Sequence, residues 1–189
     1  MSDLNQQIQD ALKALTEGGG NEKLVELLRK VGKNIIKGGL PPLQALGLPA
    51  SALESYYKRA YQLYNSGQYQ EAIKIFRVMT MLCPYEHKYV FALAACHHRA
   101  GEYVTALAAY QTSTQSDPTD PLPYYHAADC MINLGYVHAA RESLKIAIEN
   151  TKSNPRYDAI RDRASMALNK LESGDKSVSM DGMPTENAA

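Results

Sequence analysis

Apolar residues recur along this chain at helical spacing from its first turn onward. Leu4, Ile8, Leu12 and Leu15 fall on one helix face, Gly18, Gly19 and Gly20 interrupt it, and Leu24, Leu27, Leu28, Val31 and Ile35 mark a second stripe ending at Gly38 and Gly39. Residues 40–49 are apolar but too rich in proline for a long helix. Beyond them a fixed period takes over. Gly67, Gly101 and Gly135 stand 34 residues apart, and Ala72, Ala106 and Ala140 keep the same phase five positions later. The repeating units are 53–86, 87–120 and 121–154, and a last stripe, Ile160, Ala164, Ala167, Leu168 and Leu171, predicts a helix from about Tyr157 to Leu171.

Each unit predicts two helices joined by a turn. The glycine is the residue that takes a left-handed backbone at little cost and so stops the first helix. The alanine is small where two helices approach, and Phe76, Tyr110 or Leu144 follows four residues later on the same face. Pro84 and Pro118 close two of the second helices, whereas the third unit has Lys152 at that place and delays its proline to Pro155. Ser51-Ala52-Leu53-Glu54 has the form of a capping box opening the first unit. In length and layout the units resemble the tetratricopeptide repeat. The expected fold is all-α: an N-terminal helical segment over 1–50, a superhelical array of three repeats over 51–154, a capping helix over 155–172 and a disordered polar tail over 173–189.

Composition narrows the function. Twenty Lys and Arg balance twenty Asp and Glu, so there is no global field to draw in nucleic acid or an anionic membrane, and no basic cluster supplies a local one. No apolar run reaches the ~20 residues of a membrane-spanning helix, and the N-terminus lacks the basic-then-apolar order of a secretory signal, so a cytoplasmic location is expected. Cys83, Cys96 and Cys130 are an odd set suited to reduced thiols. Thirteen Tyr against two Phe and no Trp make the aromatic surface overwhelmingly amphipathic.

In a solenoid of helical hairpins the first helix of each repeat lines the concave side, the usual binding surface. The groove-facing places read Glu54, Tyr57, Tyr61, Tyr64 and Asn65 in the first unit. They read Lys88, Phe91, Ala95, His98 and Arg99 in the second, and Leu122, Tyr125, Asp129, Ile132 and Asn133 in the third. Three tyrosines at spacings of four and three form one stripe, rigid and apolar with a hydroxyl for a peptide backbone, which suits an extended and mostly apolar segment. Packing between repeats is the competing role for any one of them.

The three repeats, the segments AYQLYNSGQYQEAIKIF and YHAADC, and the Gly-Gly helix end before the array resemble the class II type III secretion chaperones over roughly residues 35–171. That resemblance implies an all-helical cytosolic bacterial chaperone for pore-forming translocator proteins. It would hold a short P-x-L-x-x-P-type segment in its groove and shield apolar clients from aggregation, degradation or premature membrane insertion. Carried over by position, it places ligand contacts on Tyr57, Tyr61 and Tyr64 and on the helices of Phe91 and Tyr125; with the groove-facing places Asn65, Lys88, Ala95, His98 and Asp129 these form the expected peptide-binding set. It also implies a homodimer through the N-terminal helices, where the exposed stripe Leu24, Leu28, Val31 and Ile35 is expected to mediate self-association, with folding back onto the array as the competing role. The other binding-module reading is a general tetratricopeptide co-chaperone for another peptide, but the clamp of cationic and amide donors needed for a terminal carboxylate is not assembled by Lys88, Arg99 and Asn133.

Other chemistry finds no support. Cys96, His97, His98, His126 and Cys130 invite a metal, yet both cysteines take a small-residue position inside the repeat, where cysteine acts as a compact hydrophobe. Gly18, Gly19 and Gly20 lack the Lys-Ser/Thr of a phosphate loop, and no nucleophile and base are arranged by the sequence, so neither a cofactor nor an enzymatic activity is expected. Pro41-Pro42-Leu43-Gln44-Ala45-Leu46 matches the start of the ligand pattern and could occupy the groove itself. Packing of Leu43 and Leu46 against the first repeat is the favoured role.

Overall fold

The computed structural model describes residues 43, 50–84, 86–152 and 154–173. The dimerisation set Leu24, Leu28, Val31 and Ile35 and the polar tail from residue 174 lie outside them. Among the described residues every regular element is helical. The chain divides into two compact units, Met1–Gly101 and Glu102–Ala189. The division falls inside the second 34-residue repeat, between its two helices.

The first unit contains α1 (Glu54–Asn65), α2 (Tyr69–Leu82) and α3 (His87–Arg99), with α1 packed on α2 and α2 on α3. The expected capping box is absent. Ala50–Leu53 form a 3-10 turn that runs straight into α1, so the N-cap position falls on Leu53, whose side chain has no oxygen to offer. Glu54 instead pairs with Lys58 at 3.8 Å. At the other end of α1 the Gly67 N–H donates to Tyr64 O at 3.0 Å and the Gln68 N–H to Leu63 O at 2.9 Å, a Schellman closure that needs the left-handed φ of +77° at Gly67. Ala60, Ala72 and Cys96 are fully buried, and Phe76 and Met79 fill the space those small residues leave. Each large apolar side chain so buried stabilises the fold by about 1.5–3 kcal/mol. Leu43 belongs to the same cluster at 5% exposure, which is the packing role, and Pro41 and Leu46 lie outside the described residues.

The second unit contains α4 (Tyr103–Ser116), α5 (Pro121–Asn133), α6 (Val137–Thr151) and α7 (Asp158–Glu172). Asp117 and Pro118 stop α4. Asp120 then opens α5 by accepting from the Leu122 N–H at 3.0 Å, with Pro121 tolerated in the first turn because its missing donor would have been unpaired there. Gly135, with φ +81°, repeats the Schellman closure through Gly135 N to Ile132 O at 3.0 Å and Tyr136 N to Met131 O at 2.8 Å. The delayed proline of the third repeat has a clear consequence: α6 extends to Thr151, and Pro155 opens a 3-10 turn, Pro155–Tyr157, before α7. Ala164, Ala167 and Leu171 are buried with Ala140 and Leu144, and Ile160 and Leu168 pack at the margin, as the stripe requires. Arg141 donates to the Leu171 carbonyl and so ties α6 to the last turn of α7.

Candidate functional site

The α1 stripe is an ordered stack of rings. Tyr57 and Tyr61 have centroids 6.3 Å apart with planes 14° from parallel, and Tyr61 and Tyr64 repeat this at 6.3 Å and 20°. Spacing of four and three residues brings the side chains to one face, and α2 and α3 continue the row at both ends. Tyr69 of α2 meets Tyr64 edge-on at 5.5 Å, while Tyr57 meets the buried Phe76 edge-on at 5.8 Å and lies 5.9 Å from Tyr89 of α3. Such pairs contribute about 0.5–1.5 kcal/mol each beyond their area. The ladder is therefore rigid before any ligand arrives, and Tyr57, Tyr61 and Tyr64 remain half-buried rather than enclosed.

Two cations bracket the ladder. The Lys88 ammonium stands 5.8 Å from the Tyr57 ring centre and 5.2 Å from that of Tyr89. Arg99 lies 5.9 Å from the Tyr69 ring and its Nε donates to the Tyr69 hydroxyl at 3.4 Å. Burial raises the phenol pKa of Tyr57, and raises that of Tyr64 strongly against the opposing pull of Arg99. Burial pushes Tyr89 up to about 12. These hydroxyls stay neutral near pH 7 and can both donate and accept.

Of the remaining residues assigned to binding in this unit, Asn65 and Lys88 are exposed, Phe91 and His98 are half-buried, and Ala95 is enclosed at 8% exposure. Phe91 stacks on His87 at 6.3 Å and 21°. Tyr69 and Tyr89 belong to the ladder although the position rule leaves them out. They lie in the first turns of neighbouring helices; the high tyrosine count in residues 56–69 points to Tyr69, and no sequence signal points to Tyr89.

In the second unit three of the five corresponding positions are buried, Ile132 is half-buried and Asn133 exposed. Tyr125 is 2% exposed, Asp129 6% and Leu122 7%. Tyr125 belongs to the cluster containing Ala164, Ala167 and Leu171. Burial pushes its phenol up to about 12, with Arg163 opposing and Asp129 reinforcing the shift. His126 stacks on the buried Tyr110 at 5.7 Å and 13°. Cys96 and Cys130 are both fully buried, and burial raises each thiol to about 12, so neither offers a thiolate. Among the described residues no group of three or more His, Cys, Asp or Glu is placed to hold a metal ion, and no helix is long and apolar enough to cross a membrane.

Comparison with known proteins places this geometry. Residues 97–164 match the tetratricopeptide repeat family. The low calcium response locus protein H of Yersinia pseudotuberculosis is 27% identical over 140 residues, 74% of this chain and 83% of that protein. The crystal structure of PcrH in complex with the chaperone binding region of PopD is 30% identical, covering 68% of this chain and 96% of that one, with a TM-score of 0.66. The Yersinia enterocolitica type III secretion chaperone SycD in complex with a peptide of the translocator YopD is 28% identical, covering 67% and 96%, with a TM-score of 0.65.

Proposed function

The chain belongs to the tetratricopeptide-repeat chaperones of type III secretion that serve translocator proteins, and on that premise we propose that it holds an extended apolar segment of a translocator against its tyrosine ladder. The observation that carries this reading is the half-buried stack Tyr57, Tyr61 and Tyr64 on α1. Prestacked rings lose little freedom on binding, and their neutral hydroxyls satisfy the backbone of an extended ligand. Asn65, Lys88, Phe91 and His98 border the ladder on the first unit, whereas Ala95, Tyr125 and Asp129 are buried, each within its own unit.

A pore-forming client carries apolar surface that aggregates or inserts if left bare. Covering it needs area and shape rather than bond chemistry, so the protein acts as a binding partner in the bacterial cytoplasm and not as an enzyme. Residues 1–50 form the dimerisation segment through Leu24, Leu28, Val31 and Ile35, residues 51–154 the repeats, residues 155–172 the cap and residues 173–189 a polar tail. The test is capture of partners from the native cell, with mass spectrometry, by the full chain and by its double variant Tyr57→Ala/Tyr61→Ala. The full chain should retain a translocator, and the double variant should lose it while keeping its helical circular dichroism. Retention by both would reject the ladder as the binding face.

A further inference from the structure

We propose that Lys88 makes the first unit selective for client segments in which an acidic residue flanks the apolar run. This rests on the ladder being the client-binding face. The ladder itself is indifferent to charge, because its phenols are neutral. Selectivity must come from a group fixed at its edge. Lys88 is such a group: its ammonium lies 5.8 Å from the Tyr57 ring and 5.2 Å from the Tyr89 ring, so two rings hold it at the first rung. A cation seated on ring faces keeps N–H donors on its outer side, where a carboxylate can be reached.

The spacing says where that carboxylate sits. A step of 6.3 Å between rungs is twice the rise of about 3.3 Å per residue in an extended chain, so Tyr57, Tyr61 and Tyr64 match alternate side chains over about five residues. The residue two beyond the Tyr57 rung, the next one to face the ladder, then falls beside Lys88. Competing carboxylates limit the effect without cancelling it. Glu54 pairs with Lys58 at 3.8 Å, and Glu86, two residues before Lys88, subtracts part of the attraction. The preference is therefore a few-fold rather than orders of magnitude.

The test pans a display library of short random peptides on the full chain. Each enriched peptide is then made with Asp or Asn at one flank at a time, and both forms are measured by fluorescence anisotropy against the full chain and Lys88→Met. The expected result is enrichment of apolar peptides with acidic flanks and an Asp-over-Asn affinity ratio of about three to five. At the flank beside Lys88 that ratio should fall to about one in Lys88→Met and toward one at high salt, while a flank beside Arg99 keeps its own ratio in that variant. Enrichment without acidic flanks, or a ratio unchanged at both flanks in Lys88→Met, would overturn the selectivity and leave the ladder standing. Peptides that bind Tyr61→Ala as tightly as the native chain, or a library from which nothing enriches, would overturn the ladder itself.

Discussion

The first helices of the first and third repeats carry tyrosine at the same repeat position, and the two residues behave differently. Tyr57 on α1 is half-buried, stacked on Tyr61 and open on one side. Tyr125 on α5 is 2% exposed and packed into a cluster that includes the buried face of α7. A repeat position fixes which side of the hairpin a residue occupies. Whether that side is reachable depends on what packs beside it, and α7 supplies a neighbour to the second unit that the repeat pattern does not contain. Tyr57 thus has surface to offer a ligand, while Tyr125 spends its ring on the fold.

The contrast is broken most directly at the buried member. Tyr125→Ala should cost about 3–5 kcal/mol of stability, as truncation of an enclosed aromatic does, measured by urea unfolding. Tyr61→Ala, which removes two ring pairs at a half-buried site, should cost less stability, about 1–2 kcal/mol, and weaken client binding by about 1–3 kcal/mol. If Tyr125→Ala unfolds at the native midpoint yet loses client affinity, the α5 face is open in solution and the distinction fails.

The turns provide a control in which both units should respond alike. Gly67→Ala and Gly135→Ala each force a residue with a Cβ to φ near +77° or +81°, at a cost of about 1–2 kcal/mol apiece. Unequal thermal shifts would mean that one unit unfolds independently of the other.

The smallest effect at neutral pH lies in the thiols. Burial raises the thiol of half-buried Cys83, and raises those of the enclosed Cys96 in one unit and Cys130 in the other to about 12. Alkylation of the native protein followed by mass spectrometry should modify Cys83 first and the other two only on unfolding. The sign of the linkage follows: burial favours the neutral thiol in the folded state. The stability contributed is complete below the ordinary value near 9 and is lost as pH rises toward about 12. Unfolding midpoints that stay flat through that window would contradict this.

The hairpins were legible because their determinants are local. Gly67, Gly101 and Gly135 all adopt positive φ, and Ala72, Ala106 and Ala140 are all fully buried, since a turn and a close helix approach each need one residue type at one phase. The tyrosine stripe of α1 was legible for the same reason. Entry into α1 was not, because a 3-10 turn and a capped start compete within a few residues and the pattern around Ser51 fits both. The inward setting of Tyr125 and Asp129, and the recruitment of Tyr69 and Tyr89 into the ladder, depend on contacts between helices that no single-helix pattern encodes.

At Gly67, Gly101 and Gly135 an added Cβ would meet nothing within 4 Å. The demand for glycine there is one of handedness and not of room. A residue of the mirror-image series prefers the backbone region that these turns occupy, so D-alanine would adopt it without the strain that L-alanine meets. It would also restrict the unfolded chain, turning a position that rejects L-alanine into one that favours its enantiomer. The array's punctuation is thus written in chirality, and its turns tell left from right while leaving the space around them empty.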